Sequence, residues 1–206
     1  MKQNKSITVL IIPNQPEKMH FVWLKTKQFA NPSVDWLRDF DEECSEEFVW
    51  NSFLATDLHF SSLPVLSQSF FRGEHPAILQ VEVKLNISDS VYSQVNALKD
   101  SINHIEERKI ELEEANSSIN TAPPTFNKYI LSDGQSAVWA LILASSEELP
   151  LEEGSKILVE PQDLRYFELE KTLVLNKIAV LSQVRGQWRS EKEKLDFLMQ
   201  FLNNAQ

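Results

Sequence analysis

Four histidines (His20, His59, His75 and His104), one cysteine (Cys44) and a dense run of acids are the residues on which chemistry could be built. A structural zinc takes Cys and His ligands in pairs a few residues apart. No two of these histidines share such a spacing, and Cys44 has no companion. Cys44 stands beside Asp41, Glu42, Glu43, Glu46 and Glu47, whose negative charge disfavours a thiolate, so it reads as a small, inert side chain. The same acids lack the alternating Asp/Asn spacing and the glycine turn of a calcium loop. Ser132-Asp133-Gly134-Gln135-Ser136 has the outline of a nucleophile elbow, but Asp-Gly between two apolar runs is the signature of a hairpin turn. Gly73, Gly134, Gly154 and Gly186 are far from one another, so no glycine-rich loop cradles a phosphate. These residues predict no catalytic centre, no metal and no cofactor.

Two groups have the chemistry of partner binding. Arg185, Trp188 and Arg189 form a basic-aromatic island in an acidic chain, and Arg and Trp are the residues that anchor interfaces. The plainer reading is a Trp closing the junction of two helices between solvated arginines. Asp39, Glu42, Glu43 and Glu46 form an acidic surface that would draw a basic partner, against the plainer reading of a solvated helix face.

The formal net charge of −10 repels a phosphate backbone, so direct nucleic-acid binding is not expected. Hydrophobic residues make up 42% of the 206, enough for a core in one domain. A lone cysteine suits a reducing, cytoplasmic setting. The apolar run Ile7 to Ile12 stops at Pro13, too short for a leader, and no stretch approaches the roughly 20 apolar residues of a membrane span.

The elements that would position these residues follow from periodicity. Val91, Val95, Leu98, Ile102 and Ile105 step by four and three, which predicts a long heptad-patterned helix over about 88–119. Ser6–Ile12 and Met19–Lys25 read as a hairpin, and Ser33 to about Leu54 as an acidic amphipathic helix. Alternation over Ala77–Ile87 predicts a strand with one wet and one buried face. Residues 126–144 read as a hairpin about Asp133-Gly134, and 156–160 as a short strand. Leu164, Phe167, Lys171, Val174, Ile178 and Leu181 predict a second long helix over 163–185, and Leu195, Leu198, Met199 and Leu202 a last one.

The order predicts an α+β fold, a mainly antiparallel sheet with helices packed on one side. It would comprise a core over 1–160 and a helical segment over 161–206 packed on that core. The function expected is a non-enzymatic assembly or adaptor protein, cytoplasmic, working through helix–helix and acidic-surface contacts with a protein partner or a second copy. The alternatives are an acidic inhibitor of a basic partner, of the immunity-protein type, and an enzyme whose acid and base residues are dispersed in sequence.

Overall fold

The computed structural model describes residues 29–41, 43–87, 90–108, 127–143, 151–183 and 189–204. The expected hairpin over residues 6–25 and the far end of the expected long helix, 109–119, lie outside them.

The fold is organised on strand β1, Ala77–Asn86, whose apolar residues follow His75-Pro76. Along one edge β1 pairs antiparallel with β2 (Asn127–Ser132); along the first half of its other edge it pairs with β4 (Lys156–Val159). β2 turns through residues 133–136 into β3 (Ala137–Ile142), as the Asp-Gly pair predicts. β3 pairs in parallel with β6 (Thr172–Leu175), β6 antiparallel with β5 (Leu164–Phe167), and β4 antiparallel with β7 (Ala179–Ser182). The seven-stranded order is β5-β6-β3-β2-β1-β4-β7. β4 and β5 are consecutive in the chain, separated only by the 3-10 turn Pro161–Asp163, yet they lie toward opposite ends of that order. So short a link draws the two ends together and curls the sheet into a half-barrel.

Alternation along the strands then sorts side chains between the inside and the outside of the curl. Leu79, Val81, Leu131, Val138, Ala140, Ile157, Leu173 and Leu175 fill the interior with Phe70. The outer face is covered in two places. Short helices α1 (Val34–Leu37), α2 (Glu46–Ala55) and α3 (Leu58–Ser61) bring Leu37, Val49, Phe53 and Leu58 onto Ile78 and Leu158. A further short helix, α4 (Gln68–Phe71), contributes Phe70 to the interior. The C-terminal helix α6 (Glu191–Asn204) and α5 (Val91–Arg108) cover Val83, Leu85 and Ile130 with Leu198 and Val95.

This architecture overturns the expected α+β arrangement of helices on one side of an antiparallel sheet. The sheet is mixed, curled, and covered at two separate places on its outer surface. The helix expected over 163–185 is three strands, β5, β6 and β7. Its three-and-four spacing arose because runs of four residues alternate with turns, one of them at Lys171 with φ 45°. The helix expected over Ser33–Leu54 is two, because Ser45 caps a new start by accepting from the Phe48 N–H. The heptad stripe over about 88–119 is no coiled-coil seam within its described part. Val95, from that stripe, is buried in a cluster with Val83, Leu85 and Ile130 of the sheet and Leu198 of α6, so the stripe packs onto a helix-and-sheet layer. β1, expected to have a wet face, is buried on both sides from Ala77 to Val83.

Candidate nucleic-acid interface

The local feature that builds the site is a bulge in β1. Val81 stands opposite Leu131 and Val83 opposite Ile130, so Glu82 is the extra residue. The bulge reverses the alternation: Leu79 and Val81 point into the half-barrel, Val83 and Leu85 lie under α6. It also aims the Glu82 carboxylate, 3% exposed, into a knot of charged groups from four separate elements.

In that knot Gln80 Nε2 donates to Glu82 Oε1 (2.9 Å) and to Asp57 Oδ1 (3.1 Å). Gln80 Oε1 accepts from the Leu58 N–H at 3.2 Å, and Asp57 Oδ1 accepts from the His59 N–H at 2.9 Å, capping α3. Arg189, just ahead of α6, places Nη1 2.8 Å from Glu82 Oε2 as an ion pair and Nη2 3.3 Å from Asp57 Oδ2. Lys156 on β4 donates to the Leu54 carbonyl at 2.7 Å. Burial raises the Glu82 pKa to about 7, against the pull of Arg189. Burial lowers that of Lys156 to about 8, against the pull of Asp57 and Glu82. The knot is a fastening for the elements that meet there.

Beside it runs a trough of about 960 Å³, reached by both Glu82 and Arg189. β3 contributes Trp139 and α6 contributes Phe197 and Phe201; Tyr166 of β5 faces in with Phe71, the two rings stacked at 4.2 Å. Phe201 meets Trp139 edge-on at 5.1 Å. The Lys128 ammonium sits 4.3 Å above the Trp139 ring and the Arg189 guanidinium 5.1 Å from that of Phe197. Burial lowers the pKa of Lys128. The trough thus brings rings from the outer layer, Trp139, Phe197 and Phe201, together with Phe71 and Tyr166 from the interior side; exposed planar rings are surfaces on which nucleobases stack.

Of the residues expected to bind a partner, Arg189 alone reaches the trough. Glu42, Arg185 and Trp188 lie outside the described residues. Asp39, Glu43 and Glu46 are exposed on the α1–α2 layer, Glu46 in the first turn of α2 where it complements the helix dipole. Trp139, Phe197, Phe201, Asp57 and Glu82 were not singled out from the sequence. The one signal was the pair Gln80 and Glu82 inside an otherwise apolar run, read as the wet face of a strand. Among the described residues no group of His, Cys, Asp and Glu is placed to hold a metal, and no helix is long and apolar enough to cross a membrane.

Comparison with curated proteins gives no match to this chain. Residues 57–166, more than half of the chain, match the family model described as the RMI1 N-terminal OB-fold domain. The matched stretch runs from Asp57 through β1, β2, β3 and β4 to β5. An OB fold is a small curled β-barrel of a type that binds oligonucleotides. The match therefore corrects the expected adaptor acting by helix–helix and acidic-surface contacts, with its coiled-coil character. The acidic inhibitor given as its alternative is set aside with it. This chain belongs to the family of the RMI1 N-terminal OB-fold domain.

Proposed function

We propose that this protein is a non-catalytic OB-fold subunit of a protein complex that maintains the genome, and that it contacts single-stranded DNA along the trough beside Trp139. The observation that carries the reading is the family match over the half-barrel. Membership implies protein partners in that complex and a place of work with nuclear DNA, in contrast to the cytoplasmic setting expected from a single cysteine. Trp139 and Tyr166, which line the trough, support the DNA contact, with Arg189 in its wall and Lys128 against the Trp139 ring. The net charge of −10 works against a polyanion, so the contact is modest and sensitive to salt, and the protein partners supply most of the residence on DNA.

The test is a titration of a fluorescent oligothymidine with the full chain, read by anisotropy at low and at physiological salt. Binding is expected at low salt, falling as salt rises. Trp139→Ala should weaken it about tenfold, the worth of one base–aromatic stack. No binding at low salt, or an unchanged affinity in Trp139→Ala, would refute the DNA contact. A tagged chain that recovers no DNA-processing protein from its own cells would refute the complex.

A further inference from the structure

The outer surface of the second and third strands is where OB folds take their ligands. Here that surface is already covered by the chain's own C-terminal helix. α6 lays Leu198, fully buried, over Val83, Leu85 and Ile130, and stands Phe201 against Trp139. What remains open is the trough along the helix's edge.

The cover is fastened at one end and along one side. Arg189, two residues before α6, is paired with Glu82 and Asp57. In the first turns Lys194 pairs with Glu153 at 2.6 Å, and the Ser101 hydroxyl of α5 donates to Glu191 at 2.6 Å. The last turns show no such ties among the described residues; Leu198, Phe201 and Leu202 hold them by apolar contact, and beyond Leu198 these are only half-buried. A helix pinned at its start and held only by apolar contact at its end opens first from that end, since local opening follows the least tightly held contacts.

We propose that α6 is a hinged cover on the ligand surface of the OB fold. In the closed state a DNA strand reaches only the trough; when the C-terminal end of α6 lifts, the outer faces of β2 and β3 become available and the strand is bound more tightly. This inference rests on the DNA contact proposed above.

The test compares the full chain with Leu198→Ala, which loosens the helix without altering any side chain that lines the trough. Two readouts are taken: hydrogen exchange across residues 191–204 and anisotropy with oligothymidine. Should Leu198→Ala fail to fold, Leu202→Ala loosens the lifting end itself and leaves the side chains that line the trough unaltered. Faster exchange in α6 together with at least fivefold tighter binding would support the cover. Faster exchange with unchanged or weaker binding would overturn it while leaving the DNA contact of the wild type intact. Absence of binding by wild type and variants alike would overturn both.

Discussion

Between pH 4.5 and about 7 the unfolded chain releases the Glu82 proton while the folded one still holds it, because burial raises the folded-state pKa. The folded state then binds more protons than the unfolded one, so stability falls as pH rises through that window. Lys156 acts in the opposite sense at higher pH. Its folded-state pKa of about 8 lies below the ordinary 10.5, so the unfolded chain binds more protons and stability rises from about 8 upward. Glu82→Gln removes the first of these slopes. Relative to this variant, the wild type should lose up to about 3 kcal/mol between pH 5 and pH 7.5, measured by urea unfolding at each pH. A wild-type-minus-variant difference that does not change across that range would mean that Glu82 is ionised throughout. A carboxylate and an ammonium kept at such cost join α3, β1, β4 and the start of α6 at one point, which fixes where the trough ends.

At the level of elements, the β2–β3 hairpin is held to the segment before α4 by one buried side chain. Asp133 Oδ2 accepts from the Val65 and Leu66 N–H groups, both at 2.7 Å. Its Oδ1 accepts from Gln135 (3.0 Å) and Ser136 (2.7 Å), so the turn and the tie are built by the same carboxylate. Gly134 must be glycine for two reasons. Its φ is +98°, and a Cβ there would stand 2.3 Å from the Leu58 carbonyl oxygen. Asp133→Ala leaves those partly buried N–H groups without that partner and should cost roughly 1–3 kcal/mol, read as a lowered midpoint in denaturant at unchanged slope. The Asp-Gly turn was legible because its chemistry is local. The tie to Val65, 68 residues away in sequence, was not.

At the scale of the whole molecule, the segment after residue 160, expected as helices packed on the core, supplies strands of the half-barrel itself. β5, β6 and β7 belong to the same sheet as β1, and Leu173 and Leu175 are fully buried in its interior. A chain ending at Glu160 would leave β3 without its parallel neighbour and the interior open on that side. It is expected to show no cooperative thermal transition by circular dichroism, whereas the full chain is expected to unfold in one; a cooperative transition in the shortened chain would mean that β5, β6 and β7 are dispensable for the core. The same curl explains why an acidic chain presents an aromatic trough with cations. The exposed acids Asp39, Glu43 and Glu46 stand on the α1–α2 layer, while Lys128 and Arg189 are placed against the rings.

Patterns confined to neighbouring residues could be read without coordinates: β1 from its apolar run, the hairpin from Asp133-Gly134, the last helix from Leu195, Leu198 and Leu202. Each of these is set by backbone preference and by the period of burial over a few residues. Tertiary structure alone decided that 164–182 would be strands. Four-residue runs have no period long enough to tell from a helix, and their pairing partners, β6 with β3 and β7 with β4, lie far away in sequence. It also decided the site, because Glu82 reads as a solvent-facing strand residue until a one-residue bulge turns it inward toward Arg189, 107 positions further along the chain.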